Sequence, residues 1–172
     1  MIDVNDAVSL EDWAELAGYS KSVDDKGSRV CWWNSGGEER YYVQLDDSRE
    51  GWVRVTNASR SGPEEFVFEA ADSEIAARYF WGFFGTTMRS RSALPRLRVP
   101  VRADNAAEGY AVQQTTERSS QLVDPSGRVI MTARGDVSDI ALLVKTSHWL
   151  RASIPEIVQT YTSPDGLPLF PA

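Results

Sequence analysis

The 172-residue sequence predicts an α+β fold: an antiparallel sheet, or two packed sheets, of about six to seven strands packed with two longer helices. Three observations predict it. Four short runs rich in β-branched and aromatic residues follow one another between residues 29 and 70, with only turn material between them. A helical apolar periodicity starts near residue 72. The same order, strands and then a helix, returns between residues 109 and 152, which suggests two strand-then-helix halves. The length fits one domain, residues 1–172, with a core of its own.

The elements follow in chain order. SLEDWAELAG (9–18) reads as a short helix, capped by Ser9 with Asp12 at N3 and stopped by Gly18; Trp13, Leu16 and Ala17 form its apolar face. The strand runs are RVCWWN (29–34), RYYVQL (40–45), GWVRVTN (51–57) and EFVFEA (65–70), and their spacing suits an antiparallel meander. From Asp72 or Ser73, Ile75, Ala76, Tyr79, Phe80, Phe83 and Phe84 recur at helical spacing. Pro95 and Pro100 forbid further helix, so LPRLRVP (94–100) is extended. Its alternation predicts a half-buried strand with an arginine face. GYAVQQTT (109–116), SQLVD (120–124) and RVIMTAR (128–134) read as strands. A helix runs from about Ser138 through HWLRA, and Ser153–Glu156 has capping-box spacing for a last short helix ending near Tyr161. The tail TSPDGLPLFPA is irregular, and Leu167, Leu169 and Phe170 predict that it docks on the body.

Composition narrows the function classes. The mean hydropathy is negative, and no apolar window approaches the roughly 20 residues a membrane-spanning helix needs. The amino terminus carries acids where a signal peptide needs positive charge, so a cytoplasmic location and no membrane partner are expected. A lone Cys31 excludes an internal disulfide and a multi-cysteine zinc site. The net charge of −7 is uneven: residues 1–77 carry −10, residues 78–103 carry +6, and the remainder carries −3. An acidic chain repels phosphate backbones, so a basic protein is a better partner than nucleic acid.

Catalytic machinery is hard to find. His148, the single histidine, lies on an apolar helix beside Trp149, where a structural role outweighs catalysis. Cys31 sits in an apolar strand, where an inert thiol is expected. Phosphate-loop, dinucleotide-binding and nucleophile-elbow patterns are missing, and NSGGEE places glutamates where a phosphate would sit. The pairs Asp24-Asp25, Glu38-Glu39, Asp46-Asp47 and Glu64-Glu65 read as solvated acids. No catalytic residue, cofactor or metal site is therefore assigned, and the chain reads as a non-enzyme.

The block YFWGFFGTTMRSRSALPRLRVP (79–100) holds five aromatics and then four arginines. Its aromatics fall at core spacing and precede the arginines, which favours scaffold over a nucleic-acid grip. Two other function classes stay open. One is a small-molecule (anion) binding or hydrolytic domain with a cleft between sheet and helices, using Arg89 or Arg96. The other is an adaptor that offers the helix of residues 72–88 to a partner.

Taken in order, WAELAGY, RVCWWN, RYYVQL, GWVRVT, the 79–100 block and YTSPDGLPLF resemble the actinobacterial immunity protein 61 family from about Trp13 to Phe170. That family comprises antitoxins of polymorphic and secreted toxins, including the immunity factor of a necrotizing toxin with NAD glycohydrolase activity. The resemblance implies an antitoxin that binds a cognate toxin, of NAD(P) glycohydrolase type, in a 1:1 complex and blocks it sterically. It assigns no contact residue. Polarity and turn composition point to Ser35, Gly36, Gly37, Glu38 and Glu39, and to Asp46, Asp47, Ser48, Arg49 and Glu50. Trp32, Trp33 and Trp52 beside them are candidate anchors, with core packing the favoured alternative for each.

Overall fold

The computed structural model describes residues 9–116 and 118–172. The expected α+β architecture is present as one eight-stranded antiparallel sheet, one strand more than expected. Helix α1 (Leu10–Leu16) leads into a meander of β1 (Tyr19–Val23), β2 (Arg29–Asn34), β3 (Glu39–Leu45), β4 (Val53–Ser59) and β5 (Glu65–Ala70). The long helix α2 (Ser73–Arg91) closes this half. After an irregular segment and a 3-10 turn at Ala103–Asn105 come β6 (Ala111–Thr116), β7 (Ser119–Val123) and β8 (Val129–Ala133). Helices α3 (Val137–Arg151) and α4 (Ile154–Thr162) complete the chain. The strand order is β1-β2-β3-β4-β5-β8-β7-β6, so the last strands of the two halves pair antiparallel at the seam. Each of those strands runs straight into a long helix, which is the two-half organisation the sequence suggests.

Local signals set the helix ends. Ser9 and Asp12 form a reciprocal capping box on α1, and Ser153 and Glu156 form another on α4. Asp72 accepts the Ile75 amide at 2.9 Å to start α2. This central helix is covered on nearly every side. Towards the sheet, Phe80 and Phe84 meet Trp32, while Phe80 and Phe83 meet Tyr41. Away from it, Gly82 and Gly85 let α3 and α4 approach. A Cβ on Gly82 would lie 1.9 Å from Trp149, and one on Gly85 would lie 2.4 Å from Tyr161. The GFFG pattern therefore has two faces, glycines against helices and phenylalanines against strands.

Two expectations need correction. Tyr19–Val23 is a strand although the sequence pattern left it unassigned: it is an edge strand, buried only at Tyr19, so YSKSV carries no apolar alternation. LPRLRVP is not a strand. Leu97 and Val99 are half-buried while Arg96 and Arg98 are exposed, as alternation predicts. However, Pro95 and Pro100 lack amide donors, and the middle of the segment bonds the tail instead, Arg98 N–H to Pro171 O at 2.7 Å. The tail docks as expected, with Phe170 buried.

Candidate functional site

All four helices lie on one side of the sheet. Trp32, Tyr41, Val55, Phe68, Met131 and Leu122 point towards them and are buried. Neighbouring residues along each strand point the other way. Among the described residues, no helix or strand packs on that second side. It carries the row Ser22, Cys31, Tyr42, Thr56, Phe66 and, one step on, the row Arg29, Gln44, Arg54, Glu69, Thr132.

The two candidate turns sit at opposite ends of β3. In the first, Gly36 and Gly37 have φ of +91° and +66°, which suits glycine, and the Asn34 side chain accepts the Glu39 amide at 2.8 Å. Ser35, Gly36 and Glu38 are exposed. Glu39 is half-buried and accepts a hydrogen bond of 2.7 Å from the Tyr19 hydroxyl. Burial and then this carboxylate push that phenol far above its usual range. In the second turn Asp47 and Glu50 are exposed, but Asp46 and Arg49 belong to a network. Asp46 is only 7% exposed, and the Ser48 amide and hydroxyl both donate to its Oδ1. These bonds, with Arg54 3.3 Å away, hold its carboxyl below the ordinary range. Nε and Nη2 of Arg54 both donate to Glu69 Oε1, at 3.1 and 2.8 Å. Arg49 lies 3.1 Å from the Trp52 ring centre and 3.6 Å from Glu69. Six residue steps of β3 at roughly 3.4 Å set the two turns about 20 Å apart, so they cannot form one small plug.

The three tryptophans divide. Trp32 is core. Trp33, the next residue along β2, is 37% exposed on the uncovered face. Trp52 is half-buried beneath Arg49. Sequence reasoning missed Arg29, Tyr42, Arg54 and Glu69. The signal was their shared parity, opposite to Trp32, Tyr41 and Val55. Arg29 lies 3.8 Å from the Tyr42 ring centre and pairs with Glu64, whose other bond is to the Thr56 hydroxyl at 2.8 Å.

Elsewhere the chemistry is structural. His148 Nε2 meets the Asn105 carbonyl oxygen at 3.0 Å and the ring abuts Phe170. Cys31 is half-buried, and that burial pushes its thiol up. Among the described residues no group of three or more His, Cys, Asp or Glu side chains could hold a metal ion, and no helix is long and apolar enough to cross a membrane. Phe80 and Phe84 are buried, and Phe83 is half-buried against Tyr41 and Tyr79, which leaves α2 no free aromatic face for an adaptor role. Arg89 is withdrawn as an anion holder because it is 3% exposed and its donors point at carbonyl oxygens. Nε donates to Pro95 at 2.7 Å, Nη2 to Pro164 at 2.9 Å, and Nη1 to Ser163, Tyr161 and Thr160. A cleft of about 520 Å³ beside it is lined by Leu94, Arg96, Val99, Val101 and Lys145.

Comparison with known proteins fits this architecture. The family model of immunity protein 61 matches residues 13–169. The chain is 31% identical over 174 residues to the Immunity factor for TNT of Mycobacterium tuberculosis and to its homolog in Mycobacterium bovis, covering 98% of this chain and 94% of either relative. A solved structure, Rv3902c from M. tuberculosis, superposes with a TM-score of 0.81 at 30% identity, covering 99% of this chain and 97% of that one. The chain belongs to the immunity protein 61 family.

Proposed function

We propose that the chain is an antitoxin that binds a cognate secreted toxin in a 1:1 complex inside the producing cell and excludes that toxin's substrate. The observation that carries this reading is near-complete coverage, 98% of this chain, by a relative named as an immunity factor. The toxin we propose is an NAD(P) glycohydrolase, and the chain itself performs no chemistry. An enzyme that holds an anionic dinucleotide presents positive charge, and the −10 balance of residues 1–77 would steer it towards α1 and β1–β5. The contact residues are Trp33, Ser35, Gly36, Gly37, Glu38 and Glu39 at one end of β3. At the other end they are Asp47, Arg49 and Glu50, with the buried Asp46 holding that turn through Ser48 and Arg54.

The test is co-purification with the toxin domain encoded beside this chain's gene, followed by NAD hydrolysis with and without the chain. A stoichiometric complex and loss of turnover are expected. A toxin that neither binds nor slows would end the antitoxin reading. A toxin that is bound and blocked but cleaves a different substrate would remove only the glycohydrolase assignment.

A further inference from the structure

We infer that the toxin docks flat across the uncovered face of the first meander. Tyr42 stands at the centre of that contact, Trp33 at its end beside the first turn and the turn acids at its rim, and the occupant is a folded domain whose contact surface is cationic at its border. This rests on the antitoxin reading and adds the surface through which it acts. The two candidate turns lie about 20 Å apart at opposite ends of β3. The direct surface between them is this face, so a partner that touches both must cover it.

The composition of the face is that of an interface. Among small polar residues such as Ser22, Thr56 and Gln44, it presents Trp33, Tyr42, Phe66, Arg29, Arg40 and Arg54. Tryptophan, tyrosine and arginine dominate binding hot spots. Their side chains are already ordered: Arg29 stacks on Tyr42 and is tied by Glu64, and Arg54 is tied by Glu69 and Asp46. Docking therefore costs little further side-chain freedom. The network is also incompletely satisfied, since Nε of Arg29, Nε of Arg40 and Oδ2 of Asp46 have no hydrogen-bond partner. At the rim, Asp25, Asp47 and Glu50 are exposed and form no ion pair among the described residues. They leave negative charge for a cationic border. Five strands about 4.8 Å apart and about 20 Å long give roughly 400–500 Å² in projection. That projection is about half of the roughly 800 Å² per partner of a specific interface, so the partner must also cover the two turns.

Trp33→Ala and Ser22→Arg, the second placing a bulky charge at the exposed edge of the Tyr42 row, test the surface against Lys145→Ala on the helix side. Affinity for the toxin domain is measured beside thermal melting. Cys31 lies between Ser22 and Tyr42 in register, so its alkylation rate reports coverage in the wild-type chain. Expected are an at least tenfold weaker complex for both face variants, unchanged binding for Lys145→Ala, and at least tenfold slower Cys31 alkylation in the complex. If Trp33→Ala fails to fold, Ser22→Arg and the alkylation rate decide. Wild-type inhibition with folded face variants binding at full strength and Cys31 alkylating as in the free chain would overturn the surface while leaving the antitoxin reading intact. Absence of any wild-type complex would remove that reading itself, and this inference with it.

Discussion

Replacing Arg89 by methionine keeps an unbranched apolar stem and removes the guanidinium with its charge and donors, which separates structural from ligand-binding roles in the 79–100 block. Three of its contacts are short: Pro95 and Pro164 at 2.7 and 2.9 Å, and the Ser163 carbonyl. Hydrogen bonds from a charged donor contribute about 1.5–3 kcal/mol each, so the gross loss is roughly 4.5–9 kcal/mol. Against this, methionine avoids burying a guanidinium, a saving of several kcal/mol. The carbonyls at the end of α4 also lose the cation that complements the helix dipole. A net destabilisation of about 2–4 kcal/mol follows, or a Tm lowered by roughly 5–15 °C at about 2–4 °C per kcal/mol for a chain this long. Urea and thermal denaturation of wild type, Arg89→Met and Arg89→Lys measure it. Lysine keeps the charge but cannot span carbonyls from Pro95 to Pro164, so it falls between the two. If Arg89→Met melts within 1 °C of wild type, the carbonyl cluster is not what holds the tail to α2. If anionic ligands raise the wild-type Tm but not that of Arg89→Met, the anion-binding role has been wrongly withdrawn.

Gly82→Ala gains about 1 kcal/mol of helix propensity but drives a Cβ to 1.9 Å from Trp149. Overpacking costs about 1–3 kcal/mol or more and wins. A lower midpoint in urea, partly restored by Trp149→Leu, is the expected cycle, and simple additivity of the two changes would count against it. Asp46 supplies the pH test. Its folded carboxyl lies below its unfolded value, so its stabilisation is complete above about pH 4 and is lost as pH falls through the folded value. Asp46→Asn should flatten that acid limb; an unchanged limb would mean other carboxylates dominate it. Tyr161 gives the opposite sign. Burial pushes its phenol up to about 12, so its contribution is present below pH 10 and is lost as pH rises through about 12. Spectroscopic titration should show no Tyr161 ionisation at pH 10, with Tyr161→Phe as the difference control. Association with the toxin should slow as salt rises from 50 to about 500 mM, mainly in the on-rate. A salt-independent on-rate would sink the steering argument.

The meander was legible because β2 to β5 each carry their own apolar signature between strong turn residues. It also implies that successive turns alternate ends, so the separation of residues 35–39 from 46–50 was latent in the pattern. Which parity of β2–β4 faces water was not legible, because Trp32 and Trp33 are identical in composition, and only the position of α2 decides between them. Asp46 and Arg49 read as solvated acid and base in a turn, yet Arg54 and Glu69, brought beside them by the β4–β5 pairing, draw both into a network. LPRLRVP misled because a two-residue alternation suits a docked irregular segment as well as a strand. Only the hydrogen bonds distinguish them, and those go to Arg89 and the tail.

The division of labour across the sheet explains why the most recognisable stretch of the chain need not be the working one. The glycines and phenylalanines of α2, Arg89 and the docked tail all serve contacts on the helix side. A core packed this closely tolerates little change, since an added methyl at Gly82 or Gly85 meets an aromatic ring. The uncovered face has the opposite physics. Its side chains are supported by one another rather than by a second layer, so a substitution there disturbs neighbours on one side only. A fold built this way can keep its core and change its outer rows of arginine, aromatic and acid side chains to meet a different toxin. That asymmetry makes the 79–100 block a marker of the scaffold. If the toxin docks as proposed, the face bearing Trp33 and Tyr42, rather than the arginine block, carries the specificity.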